Sequence, residues 1–338
     1  MRPLGQFVLR GWGKCLPDNV LDNQALGAAL GVEPASITSR TGIVERRVAG
    51  PGDSASSLAV TAGRQALAAA RVDPDDVDLV LLSTYTPDRL LCPTAPKVAH
   101  GLGATRAGAF DINGACSGGV TALITATSLI NAGVFNNALV TTADLTTLFV
   151  RPGDEKTRLV FGDGAAALFV ERPGLGSTRP WTLLSSVMGA DGSGEGLFCV
   201  PSGGSAKPHN GDEDGHYILN HVDYSVSMNG RAIFRFGVEQ GAEVVNTLCE
   251  RAGVAPRDVR WIVPHQANLR IISALIEKSG VPSDRWFVNI QRYGNTASTS
   301  VPLALTELLD TGSIAPGDVV LLVAFGAGLT WSGVALSA

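Results

Sequence analysis

Val72-Asp73-Pro74-Asp75-Asp76-Val77-Asp78-Leu79-Val80-Leu81-Leu82 decides the fold, because its pattern returns as Val254-Ala255-Pro256-Arg257-Asp258-Val259-Arg260-Trp261-Ile262-Val263. Each stretch follows a segment of helical period, 57–70 in one case and 237–252 in the other. Each then passes through a short turn containing Pro and Asp into a nearly continuous apolar run. Such runs suit strands covered on both faces, as in α/β layers. Helix, turn and strand in succession is a common local pattern, so one match proves little by itself. The order of elements carries the argument further. Strand 107–112 and helix 117–132 lead to strand 138–142, and strand 286–290 and helix 296–310 lead to strand 318–324. Two βαβαβ halves, residues 1–175 and 176–338, would then form a layered α/β/α/β/α arrangement. The Gly-, Pro- and Ser-rich segment 173–180 is the expected boundary. The polar segment 202–216 reads either as a cap over something or as a plain surface insertion.

Composition narrows the function classes. Of 338 residues, 45% are hydrophobic and 17% charged, enough for a large buried core. A net charge of −5 argues against nucleic acid as a partner, and an acidic carrier protein would need a local basic patch. The first 17 residues lack the apolar core of a signal peptide. The longest apolar stretch, 120–134, is interrupted by Thr, Ser and Asn and is too short to span a bilayer. The expectation is a soluble cytoplasmic protein without membrane contact. Five irregularly spaced cysteines with no CxxC pair argue against a disulfide framework or structural zinc. His209, His216 and His221 cluster loosely without metal-ligand spacing, and His100 has no functional context, so no metal is expected.

Three residues stand at ends of the repeated strands. Cys116, in Asn113-Gly114-Ala115-Cys116-Ser117-Gly118-Gly119, sits on a small-residue turn before a helix, where the helix dipole and free N–H groups favour thiolate. A small buried cysteine is the alternative. His265, in Pro264-His265-Gln266-Ala267-Asn268, ends the second repeat's strand and is either a satisfied histidine or a hydrogen-bond donor to substrate. Asn295, in Tyr293-Gly294-Asn295-Thr296, lies in the counterpart of the Cys116 turn and is either a helix N-cap or a second such donor. A thiolate that accepts an acyl group, with two neutral donors to polarise a second thioester, suits carbon–carbon condensation without a metal.

Together these segments resemble the β-ketoacyl-acyl-carrier-protein synthase III family of the thiolase superfamily. Further matches are Ser39-Arg40-Thr41-Gly42-Ile43, Phe161-Gly162-Asp163-Gly164-Ala165-Ala166, Met228-Asn229-Gly230-Arg231 and Phe325-Gly326-Ala327-Gly328-Leu329-Thr330-Trp331. The resemblance implies a thiolase-like fold and a decarboxylative Claisen condensation. Cys116 would carry an acyl primer, with the backbone N–H groups of Cys116 and Ala327 as oxyanion hole. His265 and Asn295 would hold the malonyl thioester. It also implies a homodimer, carrier-protein docking at Arg235 and Arg270, and a pantetheine channel past Arg40 and Asn268. Coenzyme A and phosphopantetheine thioesters, carried as acyl-CoA, acyl carrier protein and their malonyl forms, would be substrates, with no cofactor.

Departures from the family pattern mark where specificity differs. Ser36 stands where the family commonly has a tryptophan that stacks on adenine, and the arginine often found shortly before Phe161 has no clear match, although Lys156 and Arg158 lie nearby. Ala327 replaces a usual glycine, and 88–92 falls where the family lines its acyl pocket. The alternative function is acyl transfer from Cys116 to a hydroxyl or amine acceptor. Condensation of two long acyl chains is disfavoured because no Glu lies between Asp73 and Glu155 to serve as a base. A non-enzymatic binding module would have no use for a full set of reactive groups.

Overall fold

The computed structural model describes residues 3–174, 180–207 and 224–338. His209, His216 and His221, and the larger parts of 173–180 and 202–216, lie outside them. Nine strands form one sheet: β1 (Gly5–Cys15), β2 (Leu79–Ser83), β3 (Gly108–Ile112), β4 (Asn137–Asp144), β5 (Gly164–Glu171), β6 (Trp181–Ala190), β7 (Val259–Pro264), β8 (Val319–Gly326) and β9 (Thr330–Ser337). Their spatial order is β7-β8-β9-β6-β1-β5-β4-β2-β3. Outward from the β6–β1 contact, the two arms repeat one another. Parallel β2–β4 matches parallel β7–β8, and antiparallel β4–β5 and β5–β1 match β8–β9 and β9–β6. β1 serves both arms: Gly5–Phe7 pair with β6, whereas Val8–Cys15 pair with β5.

The strand expected over 286–290 does not form. Only Trp286 bridges to Ile262, and Ile290 already opens a short helix ending at Tyr293. The cause is a side chain: Gln266 Oε1 accepts from the N–H groups of Asn289 at 3.1 Å and Ile290 at 3.2 Å. Two amides that a ladder would use are thereby satisfied without a neighbouring strand.

The helices that position the layers and the site are α1 (Pro34–Thr41), α2 (Ala55–Ala70), α3 (Gly118–Asn131), α4 (Gly230–Ala252), α5 (Leu269–Ser279) and α6 (Ser300–Asp310). α3 and α6 lie between the arms, where Val120, Leu123, Val301 and Leu305 share a core with Leu81 and Val140 of one arm and Val263 and Leu322 of the other. α2 covers the outer face of the first arm, burying Leu58, Ala62 and Ala66 against Phe169 and its neighbours. α4 and α5 cover the other outer face through Val244, Leu248 and Leu275. The result is the five-layered α/β/α/β/α arrangement of the thiolase fold. α4 begins at Gly230, earlier than the apolar period alone indicates.

Close approach of α2 to β1 depends on missing side chains. A Cβ at Gly13 would lie 2.3 Å from the Ala62 carbonyl oxygen, and one at Gly11 2.2 Å from that of Ala66. Among the described residues no helix is long and apolar enough to cross a membrane.

Candidate active site

The two central helices open in the same way. A single 3₁₀ turn, Ala115–Ser117 before α3 and Ala297–Thr299 before α6, starts each one. The first residue of each turn is an alanine with positive φ, 45° at Ala115 and 51° at Ala297, a region that side chains disfavour. The turns therefore correspond residue for residue, and the counterpart of Cys116 is Ser298. Ser298 is locked in place, donating from Oγ at 2.6 Å and from N–H at 2.9 Å to the buried Asp144 carboxylate. Burial pushes the Asp144 pKa up to about 6 despite these donors.

Cys116 is only 3% exposed. Burial, then the Asp144 carboxylate, push its thiol up to about 12, while the N–H groups of Cys116 and Ala327 pull the other way. The helix start favours thiolate, as the sequence indicates, but desolvation outweighs it and the resting group is a thiol. The end of β8 crosses directly over the sulfur-bearing residue. A Cβ at Gly326 would sit 2.7 Å from that of Cys116, so this crossing requires glycine.

His265 directly follows β7, its N–H donating to the Val323 carbonyl at 2.7 Å. Its ring meets Phe325 edge-on at 5.6 Å, and Nδ1 lies 2.6 Å from Ser300 Oγ. Burial pushes its pKa down to about 3, so the ring is neutral at ordinary pH. Ser300 Oγ also accepts from the Gln266 N–H at 3.4 Å. When the Ser300 hydroxyl donates to Nδ1, the ring hydrogen lies on Nε2 and makes that nitrogen a donor.

Asn295 combines both readings of its sequence context. Its Oδ1 accepts from the Ala297 N–H at 2.9 Å, a capping-type bond, and this leaves the Nδ2 amide hydrogens as donors. The loop before it is fixed by Glu307, which accepts from Tyr293 Oη at 2.6 Å, Asn289 Nδ2 at 2.9 Å and Arg292 at 2.5 Å. Asn295 also exchanges backbone bonds with Val160 and Gly162, joining the loop to the Phe161 motif.

Cys116, His265 and Asn295 line one cavity of about 280 Å³. Its walls include Phe161, Phe198, Ile233, Phe234 and Phe325, and the exposed Lys156 and Arg270 mark its open end together with Arg40 and Asn268. Asn268 has both polar ends engaged, Oδ1 by the Arg270 N–H at 2.8 Å and Nδ2 by the Arg40 carbonyl at 3.3 Å. Arg40 pairs with Glu155 at 3.6 Å, and Arg270 donates to the Ser39 carbonyl. Arg235 is exposed on α4 outside the cavity lining. Among the described residues no group of three or more His, Cys, Asp or Glu could hold a metal. Ser300 and Asp144 were not singled out from the sequence. The run of hydroxyl residues from Thr296 to Ser300, at the head of an apolar helix, is the signal that points to the first.

The family of 3-oxoacyl-[acyl-carrier-protein] synthase III matches residues 110–192, and its C-terminal part matches 249–338. A β-ketoacyl-[acyl-carrier-protein] synthase III from Roseiflexus castenholzii is 43% identical over 325 residues, 96% of each chain. The crystal structure of the Aquifex aeolicus 3-oxoacyl-[acyl-carrier-protein] synthase III is 38% identical, with a TM-score of 0.86 over 99% of this chain and 100% of that one. The priming β-ketosynthase of the R1128 polyketide pathway is 32% identical, with a TM-score of 0.87 over 100% and 98%. The chain belongs to the β-ketoacyl-acyl-carrier-protein synthase III family of condensing enzymes.

Proposed function

We propose that this enzyme performs decarboxylative Claisen condensation of a thioester-borne primer with a malonyl thioester. The observation that carries the reading is the meeting of a thiol and two neutral side-chain donors in one cavity. The Cys116 sulfur attacks the primer's carbonyl carbon, and the donor thiol leaves with the proton. The N–H groups of Cys116 and Ala327 converge on the sulfur, so they are suited to hold the oxyanion of that step. The malonyl thioester then enters with its carbonyl oxygen against His265 Nε2–H and Asn295 Nδ2–H. Loss of carbon dioxide leaves an enolate whose negative oxygen these donors stabilise. Its carbon attacks the Cys116 thioester, the carbon–sulfur bond breaks, and the β-ketoacyl product leaves on its carrier.

The cavity's aromatic and aliphatic walls suit a pantetheine arm, and Arg270, with Arg235 outside the lining, offers positive charge to an acidic acyl carrier protein. Arg40 and Asn268 stand along the arm's path. The primer's carrier is coenzyme A or the carrier protein, and no cofactor enters the reaction. Fatty-acid initiation and selection of a polyketide starter both fit, as the named relatives include each kind of enzyme. The working unit in this reading is a homodimer.

The test is intact-protein mass during incubation with acyl thioesters, followed by a malonyl-carrier chase. The Cys116 adduct should vanish as β-ketoacyl product forms. In Asn295→Ala the adduct should still form, while condensation falls about 100- to 1,000-fold. Undiminished condensation in that variant would sink the reading. An adduct that survives the chase in the unmodified enzyme would favour hydroxyl or amine acceptors instead.

A further inference from the structure

Arg46, Arg47, Arg151 and Arg158 each bury an Nε that has no hydrogen-bond partner. Among the described residues none of the four forms an ion pair, in a chain whose net charge is −5. Arg46 is only 1% exposed, and its hydrogen bonds go to neutral acceptors: the carbonyls of Leu21 and Leu159 and the Asn23 Oδ1. Burial pushes its pKa down to about 10, with Asp22 and Glu45 pulling the other way, so it is charged at neutral pH. A guanidinium held out of water without a counter-charge is costly, and an anion nearby would relieve it.

Arg46 and Arg158 line a cavity of about 150 Å³ that the proposed mechanism does not use. Phe161 is the one lining residue that it shares with the catalytic cavity, and neither arginine lines the latter. Leu21, Val48, Leu148 and Val150 give it apolar walls, and no carboxylate lines it. The nearby Asp163 is already satisfied, accepting from the N–H groups of Ala49 and Thr147 and from the Thr147 hydroxyl. Arg158 is half-buried, and its side chain has no hydrogen-bond partner among the described residues, so its donors are free for a ligand. Positive charge at one place and apolar walls elsewhere select a molecule with one anionic group and a short hydrocarbon tail. At on the order of 30 Å³ per water-sized group, the cavity has room for about five.

We infer that this cavity is a second ligand site, for a short aliphatic monocarboxylate of the size of pentanoate. Arg158 holds the carboxylate over the buried charge of Arg46, and the tail lies against the apolar walls. The inference stands apart from the condensation reading, because neither arginine takes part in that chemistry.

The experiment is isothermal titration of the unmodified protein with pentanoate at neutral pH. Pentanoate should bind, and 1-pentanol, with the same tail and no charge, should bind at least about tenfold more weakly. Arg158→Gln should weaken pentanoate at least about tenfold, the value of a hydrogen bond to a charged group. Arg158→Lys, which keeps the charge, should retain most of the affinity. A crystal structure of the unmodified protein with pentanoate locates the ligand without any variant, and should place its carboxylate at Arg158. Absence of binding, unchanged binding in Arg158→Gln, or 1-pentanol binding as tightly as pentanoate would each overturn the inference. So would pentanoate found in the catalytic cavity alone. Inorganic phosphate binding there in place of pentanoate would overturn the carboxylate assignment.

Discussion

Ser300 places its hydroxyl 2.6 Å from His265 Nδ1, and the direction in which this hydrogen bond is donated sets which ring nitrogen carries hydrogen. Without it the neutral imidazole is free to place its proton on Nδ1, and Nε2 would then turn a lone pair toward a substrate oxygen that needs a donor. Ser300 is in this sense a positioning residue. Ser300→Ala should leave acylation of Cys116 unchanged and lower kcat for condensation roughly tenfold, the value of one hydrogen bond. Ser300→Thr should restore most of it. The pH profile of condensation in the unmodified enzyme should show no histidine ionisation between pH 6 and 8, because burial holds His265 at about 3. Equal losses in acylation and condensation for Ser300→Ala would show a merely structural role. None of this is visible in a linear sequence, since Ser300 is 35 residues from its partner. Cys116 and His265 were legible because they follow strands at the end of an α/β sheet, and Asn295 because it opens the turn that matches the Cys116 turn before a central helix.

At the level of elements, the fit of α2 on β1 is set by Gly11 and Gly13. Gly13→Ala would force a methyl group to within 2.3 Å of the Ala62 carbonyl and 2.6 Å of the Gln65 Cβ. Relief requires the helix to lift from the strand, an overpacking cost of about 1–3 kcal/mol. Urea unfolding should show the midpoint falling accordingly, and an unchanged midpoint would mean that α2 is less tightly seated than its geometry indicates. The apolar runs that became β2, β4, β7 and β8 were legible because both faces of each are covered, so solvent imposes no alternation on them. The failed strand at 286–290 was not, because its β-rich composition is overridden by one distant side chain, Gln266, that takes its amides. At Cys116 the helix start is local and readable, whereas the burial that raises its pKa belongs to the whole core.

For the whole molecule, β3 ends the sheet with an open backbone edge and carries the part-exposed Phe110, while the nearby chain exposes Leu90 and Leu91. Open edges with apolar side chains are templates for pairing with a second copy. Sedimentation should give a dimer, and Phe110→Asp should shift it toward monomer; a monomer in the unmodified protein would remove the homodimer from the proposed function. At the opposite end of the first arm, β1 is hydrogen-bonded to both arms at once. Cys116 is carried by one arm and His265 and Asn295 by the other, yet no hinge separates them. Spreading the arms would break the pairing of Gly5–Phe7 with β6 or bend β1 itself. The clearance between sulfur and donors therefore works as a fixed gauge, not a jaw, and a substrate cannot be clamped from the side. It must be threaded end-on, which a thioester on a long, thin, flexible arm can do and a bulky rigid molecule cannot.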